Sequence, residues 1–360
     1  MLILKKISLV QFKNYQQASF DFDARIIAIC GNNGIGKTNL LDAIYYLCFT
    51  KSYFSKSDQQ HVLTGSSGFR IEGSFIVDGR DLDLLCILRE TGKKEFFVNG
   101  EPYDKFSRHI GRFPCVMIAP DDIRIITGGS EERRRFLDAL LCQLDARYLQ
   151  SLLDYNKILS LRNGFLRSLA EKRIRDSNLL DVYDEQLLQP GTYVFQQRFD
   201  FLQEMVPLVK EFYTDIAGKA EPLELVYNSQ LLQSGLAELL LQNRDRDLFL
   251  QRTSAGIHKD DLDILLGDQP FRAQASQGQR KSLLFALKWA EYTLLKKAKG
   301  FAPLLLLDDV FEKLDATRMY NLLRRVSAGN DGQIFITDTH PERIRQELKE
   351  IPASYQLITL

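Results

Sequence analysis

Apolar and polar positions alternate at the start of the chain, at Leu2/Leu4, Ile7/Leu9 and again Phe20/Phe22, which predicts strands with one buried face. The uninterrupted run Ile26-Ile27-Ala28-Ile29-Cys30 predicts a strand buried on both faces. A glycine-rich stretch follows. Beyond it Leu40, Leu41, Ile44, Leu47 and Cys48 share one face at helical spacing. Between Phe69 and Gly100, "FRIEGSFIV", "LDLLCIL" and "EFFVNG" are punctuated by Asp78-Gly79 and Asn99-Gly100. Such dipeptides tolerate the positive φ values of a tight turn, so the segment predicts an antiparallel meander. Near residue 121 the character changes. From "DDIRIITGGSEERRRFLD" to about "GLAELLLQNRDRDLFL" the pattern is mostly helical and rich in Leu, Arg and Glu. Strands return at "LDILLG", "LLLLDD" and "QIFITDTH".

This pattern predicts two α/β segments, residues 1–120 and 245–360, flanking a helical insertion at 121–244. There is no internal repeat, low-complexity tract or sustained heptad, so any arm is expected to be short and packed rather than a long coiled coil. Composition adds exclusions. The 360 residues, 45% hydrophobic and 26% charged, suit a globular chain. No run reaches the roughly 18 apolar residues of a membrane span. At the N-terminus the charges follow the apolar patch, unlike a signal peptide, and the expected compartment is the cytoplasm, without membrane partners. Five cysteines without CxxC spacing read as free thiols, and four scattered histidines do not suggest zinc. With 47 basic and 47 acidic residues the chain is not a globally basic DNA binder, although a local patch remains open.

The chemistry begins at "GNNGIGKTN". Gly31-x4-Gly36-Lys37-Thr38 matches the phosphate-binding loop, with the buried strand before it and the helix after it that such a loop requires. Gly31, Asn32, Asn33, Gly34, Ile35, Gly36, Lys37, Thr38 and Asn39 are therefore expected to hold ATP. Lys37 would reach the β- and γ-phosphates, and the Thr38 hydroxyl would ligate Mg2+. "LLLLDDVFEKLD" is a buried strand ending in acids, as in a Walker B segment: Asp308 for the metal, Asp309 to orient or deprotonate the attacking water. "ASQGQRKSL" resembles the signature motif of ABC-type ATPases through Ser276, Gly278 and Gln279, with Gln277 where glycine is usual. In that superfamily it caps the γ-phosphate held by the other subunit. Ser276 with Gln279 three residues on is also a helix capping box, and both readings can hold at once. Leu314-Asp315 looks like the superfamily's D-loop and Thr339-His340 like its switch histidine.

The order of these motifs, with more than two hundred residues between Lys37 and Ser276, resembles the RecF family of recombination-repair ATPases over nearly the whole chain. "KNYQQASFDF", "GNNGIGKTNLLDAIYYL", "FFVNG", "APDDIRIITGGSEERRRFLD", "YNKILSLRN", "AGIHKDDL" and "ASQGQRKSL" carry the likeness. Gln277 and Asp309 follow that family's habit, whereas Ile257 and Lys259 replace its more usual Pro and Arg. The resemblance implies an α/β fold: an ABC-type P-loop ATPase head with an antiparallel meander and a mostly helical lobe II. It also implies an ATP-dependent homodimer, binding to double-stranded DNA near single-strand gaps, and loading of RecA with RecR and RecO. It further implies a weak, DNA-dependent ATPase acting as a switch; Asp309, one methylene shorter than glutamate, adds the expectation of slow turnover.

The DNA surface is less legible. Lys13, Lys93-Lys94, Arg133-Arg134-Arg135, Lys157, Arg162, Arg167, Lys172 and Arg173 are basic candidates, with Arg133, Arg134 and Arg135 chosen for DNA. Glu131-Glu132 stand beside that triplet and could simply pair with it. Three other classes fit less well. An SMC-type chromosome ATPase needs heptad arms, and a transporter subunit needs a short loop-to-signature distance. An overcoming-lysogeny-type ATPase needs an appended acidic nuclease cluster, which is not expected in a chain ending at Leu360.

Overall fold

The computed structural model describes residues 1–171, 178–309, 332–349 and 354–360. The chain divides into two compact units: Met1–Asp122, Asp215–Gly218 and Lys281–Leu360 form the first, Ile123–Thr214 and Lys219–Arg280 the second.

The first unit contains β1 (Leu2–Phe12), β2 (Tyr15–Asp21), β3 (Ile26–Cys30), β4 (Phe69–Val77), β5 (Arg80–Leu88), β6 (Lys94–Val98), β7 (Glu101–Pro102) and β8 (Cys115–Ile118). The second contains β9 (Leu223–Asn228), β10 (Asp261–Leu266) and β11 (Gln269–Pro270). The chain returns to the first with β12 (Leu304–Leu307), β13 (Ile334–Asp338) and β14 (Tyr355–Thr359).

Two sheets make the first unit. One is antiparallel, in the order β2-β1-β4-β5-β6-β7; the other is parallel, in the order β14-β3-β13-β12-β8. The expected hairpins are both present. Asp78 and Gly79 (φ 48° and 78°) join β4 to β5, and Asn99 and Gly100 (φ 50° and 81°) join β6 to β7. Both central residues of each turn have positive φ, the twist that matches flanking strands. β3 and β12, each with a parallel neighbour on both sides, are buried at every residue, as expected where both faces of a parallel sheet are covered. The helix Lys37–Phe49 goes further than a one-faced pattern: Leu40, Leu41, Ala43, Ile44, Tyr46 and Leu47 are all inaccessible. It shares one core with residues of both sheets, among them Leu4, Ile7, Ile71, Phe75, Leu304 and Leu306, and a helix apolar all round belongs in such a position. Its one buried acid, Asp42, accepts from Ser52 Oγ (2.7 Å) and the Tyr53 N–H (2.8 Å) and pairs with Lys13 (2.6 Å).

The second unit is mostly helical, built on Ser130–Leu144, Ala146–Ala170 and most of Asn178–Ala217. The region read as helical also contains a strand, β9, whose Leu223 and Leu225 are buried while Glu224 is exposed. β9 pairs with β10 from Leu223↔Leu266 to Asn228↔Asp261. This ladder ties chain from both sides of residue 244 together, and the compact unit runs on to Arg280. Buried arginines organise its interior. Arg162, with no exposed surface, bonds Asp184 (2.6 Å), Asp247 (2.7 Å) and Thr253 (2.9 Å). Arg198 binds Asp138 (2.8 Å) and Asp260 (2.9 Å).

All five cysteines are buried free thiols, and no helix among the described residues is long and apolar enough to cross a membrane. In the first unit His109 is fully buried, its Nε2 donating to the Leu47 carbonyl at 2.6 Å. Burial, with Arg112 adding to it and the Leu47 bond opposing, lowers its pKa from 6.5 to about 4. The unfolded chain binds this proton below its ordinary value while the folded unit refuses it. The histidine's stabilising contribution is therefore complete above pH 6.5 and declines by about 3 kcal/mol as pH falls towards 4. Urea unfolding of the wild type against His109→Gln checks this: the substituted protein should start lower at pH 7 and lose less across that window.

Candidate functional site

The loop after β3 is shaped by contacts from three directions. Gly31 N–H donates to the Asp338 carbonyl at 3.3 Å, and Leu360 N–H to the Cys30 carbonyl at 2.9 Å. Asn14 and Tyr15, at the β1–β2 turn, hold its far end. Asn14 Nδ2 donates to the Ile35 carbonyl (2.7 Å), Tyr15 Oη to the Gly36 carbonyl (3.0 Å), and Asn39 Nδ2 to Asn14 Oδ1 (2.7 Å). Gly36 has φ 121°, and a Cβ there would lie 2.6 Å from Asn14 Nδ2, so glycine is required both by conformation and by space. Asn32, Asn33, Gly34 and Ile35 form the exposed rim of the loop.

The helix that follows has no side-chain cap and no acid in its first turn, which leaves its positive end for an anion. Lys37 is 4% exposed and folds back on the loop, its Nζ donating to the carbonyls of Gly31 (2.9 Å) and Asn32 (3.2 Å). A phosphate group entering the loop would meet this ammonium at once.

Thr38 Oγ1 donates to the Asp308 carboxylate, 2.9 and 3.0 Å from its two oxygens. Thr337 Oγ1, from the neighbouring strand, donates to Asp308 Oδ1 at 2.8 Å and accepts from the Asp309 N–H at 2.9 Å. Burial pushes the Asp308 carboxyl above the usual carboxylate range. The Thr337 and Thr38 hydroxyls and Lys37 pull it back, while the charge of Asp309 raises it further. Asp309 has a left-handed backbone, φ 46°, held by that bond to Thr337. Asp338, the last residue of β13, is buried. It accepts from the His340 N–H (2.6 Å) and from Arg343 Nε and Nη2 (3.0 and 2.6 Å). The His340 side chain is exposed at the start of the helix Pro341–Leu348.

Lys37, Thr38, Asp308 and Asp309 thus converge, and His340 is tied to the same loop through Asp338. Among the described residues no group of three or more His, Cys, Asp or Glu could cage a metal unaided. One hydroxyl and one carboxylate nevertheless suit Mg2+, which keeps waters and takes phosphate oxygens as further ligands. Asn14, Tyr15, Thr337 and Asp338 were not singled out from the sequence. "KNY" and "ITD" were visible there, but no spacing marks a contact made through folding.

The signature segment lies in the second unit. Ser276 N–H donates to Gln279 Oε1 (2.8 Å) and Gln279 N–H to Ser276 Oγ (3.2 Å), a reciprocal capping box; Gly278 falls in the first turn of the helix Gln277–Lys299. Gln279 Nε2 donates to Glu221 (2.8 Å), as does Tyr213 Oη (2.6 Å). Asp315 lies outside the described residues, as do Lys172 and Arg173.

The arginine triplet is engaged within its own unit. Arg133 is buried and bidentate to Asp261 (2.6 and 2.9 Å), Arg134 donates to the Asp260 carbonyl (2.6 Å), and exposed Arg135 pairs with Glu131 and Glu132. Of the other basic candidates, Lys13 and Lys94 pair with Asp42 and Asp58, Arg162 is buried as described, and Lys157 and Arg167 are exposed.

Residues 3–356 match the family model described as RecF/RecN/SMC N terminal domain. The DNA replication and repair protein RecF of Flavobacterium johnsoniae is 42% identical over 357 residues, covering 99% of each chain. That of Bacteroides thetaiotaomicron is 41% identical, covering 99% of this chain and 96% of its own. The chain belongs to the RecF family of DNA replication and repair proteins. A solved structure of the recombination mediator protein RecF-ATPrS in the RecFOR pathway superposes with a TM-score of 0.88 at 29% identity, over 99% of this chain and 96% of that one. A Pyrococcus furiosus Smc head domain, 15% identical with a TM-score of 0.55 over 96% of this chain and 92% of its own, shares the fold.

Replacing Thr337 by valine removes the hydroxyl at nearly constant volume and leaves the Asp309 N–H without its acceptor. The expected cost is about 1–3 kcal/mol, with most of it restored by Thr337→Ser. Urea unfolding measures both, and equal midpoints for the valine and wild-type proteins would remove Thr337 from this account.

Proposed function

We propose that this chain binds ATP with Mg2+ at Gly31–Asn39, dimerises head to head when it does so, and grips double-stranded DNA beside single-strand gaps. There it would promote RecA loading with RecR and RecO, in the cytoplasm. The observation that carries the reading is the bond from Thr38 to Asp308, which joins the phosphate loop to an acid 270 residues away. Family membership and the likeness to the RecF-ATPrS and RecF-ATP structures support ATP as the nucleotide. The buried free thiols support a reducing compartment.

In this reading Lys37 exchanges its two carbonyl contacts for the β- and γ-phosphates. Thr38 and Asp308 hold Mg2+, which would neutralise charge on the transferring phosphoryl group. Asp309 orients the attacking water, and His340 and Asp315 complete the switch. Ser276 is suited to cap the partner copy's γ-phosphate. Its oxygen accepts from Gln279 N–H, while its own O–H makes no hydrogen bond among the described residues and is left to donate. A short carboxylate at 309 suits slow turnover, in which hydrolysis times release of the DNA.

Two measurements test this. Light scattering with and without ATP should show a wild-type dimer that Lys37→Met and Ser276→Arg both abolish, with only the dimer retaining gapped duplex. A protein that binds ATP yet stays monomeric with and without that DNA would overturn the reading. Asp309→Asn should slow hydrolysis about 100-fold or more while nucleotide binding persists; wild-type turnover would remove Asp309 from the mechanism.

A further inference from the structure

The loop between the helix Arg244–Leu250 and β10 is drawn together by a chain of hydrogen bonds. Arg252 N–H donates to the Asp247 carbonyl at 3.2 Å, which brings Arg252 to the residue beside Arg246. Ser254 N–H and Oγ donate to Asp247 Oδ1 at 2.8 and 2.6 Å. His258 Nε2 donates to the Thr253 carbonyl at 3.0 Å, so the residues flanking that bond, Arg252 and Lys259, come together. Arg134 Nη1 donates to the carbonyl of Asp260, the neighbour of Lys259, at 2.6 Å. Four cations are thereby gathered on one face of the second unit. Arg246, Arg252 and Lys259 are exposed, and Arg134 is half-buried.

Their charge is only partly offset, because the nearby acids are committed to other arginines. Asp247 is fully buried against Arg162, Asp260 is buried against Arg198, and Asp261 is bidentate to Arg133. Asp245, beside Arg246 in the helix, is exposed, and among the described residues it forms no ion pair with these four cations. Burial and the charges of Arg252, Arg134 and Arg246, opposed by Asp247, hold the Lys259 ammonium below the usual lysine range. Such mutual repulsion among exposed cations costs stability, and an approaching polyanion relieves it.

We propose that Arg134, Arg246, Arg252 and Lys259 form the phosphate-contacting face of the second unit, fitted to the backbone of duplex DNA. The inference rests on the DNA-binding part of the proposed function. It keeps Arg134 of the arginine triplet but leaves out Arg133, since an arginine already bidentate to a carboxylate has few donors left for a phosphate.

The test is anisotropy of a labelled blunt duplex in ATP, titrated with KCl from about 50 to 200 mM. The doubly substituted protein R252Q/K259Q should melt no lower than the wild type, because both side chains are on the surface and their mutual repulsion is removed. Its salt slope, log K against log [salt], should be shallower by about 2, with affinity at least about tenfold weaker. Lys6→Gln, which neutralises an exposed cation of the first unit, should leave both quantities unchanged. An unaltered slope in R252Q/K259Q, or an equal drop in Lys6→Gln, would overturn the assignment. Loss of ATP-driven dimerisation in R252Q/K259Q would overturn it too, by showing that the face meets a second copy. A wild type that binds no duplex at low salt would remove both this inference and the DNA role it rests on.

Discussion

Asp308 sits at the end of β12 with 3% of its surface exposed, and a carboxylate in that position is sustained by hydroxyls donated from Thr38 and Thr337. Thr38 follows β3 by way of the loop, and Thr337 lies on β13, which runs between β3 and β12. Three adjacent parallel strands therefore end in one hydrogen-bond system. The crevice at the carboxyl ends of parallel strands is where open α/β sheets bind ligands, because strand order there leaves room for a loop to turn away. Here the strands come from opposite ends of the chain, so the site exists only once residues beyond 300 have folded against the first thirty.

Much of this was legible because local patterns encode local structure. β3, the glycine loop and the helix after it are one contiguous signal, and the Asp78-Gly79 and Asn99-Gly100 turns are demanded by two positive φ values each. The capping box at Ser276 was readable for the same reason. What escaped were contacts made through folding. Asn14 and Tyr15 belong to an ordinary hairpin, and only their distance to Ile35 and Gly36 reveals them as buttresses. β9 was hidden in helical surroundings, its identity depending on β10 nearly forty residues later. β14 is partly exposed and lacks a full alternating pattern, so its parallel pairing with β3 had no local mark.

Charge was the least legible property, and for a physical reason. A sequence records the sign of a side chain but not whether its partner lies across the fold. Arg133 and Arg162 stood among candidate surface cations, yet both are buried against carboxylates from Asp261, Asp184 and Asp247. Removing either partner from such a pair leaves an uncompensated buried charge, which is far more costly than losing an exposed one. A net charge of zero consequently says nothing about where charge lies: buried arginines and acids pair inside, and the exposed charges can still be unevenly spread from one face to another.

The Ser276 region shows why a structural and a catalytic reading need not compete. Ser276 Oγ is an acceptor in the capping box, and a hydroxyl that accepts still owns a proton to give. Gln279, the other half of the box, is held in turn by Glu221. Burial pushes the Glu221 carboxyl upward, but bonds from Tyr213, Gln279 and Lys219 outweigh it and hold the group below the usual carboxylate range. The ionised acid fixes the amide, and the amide fixes the serine backbone at the start of the helix Gln277–Lys299. The bonds that cap the helix occupy the Ser276 and Gln279 N–H groups, so the proposed phosphate contact would draw on the Ser276 hydroxyl proton that the box leaves over.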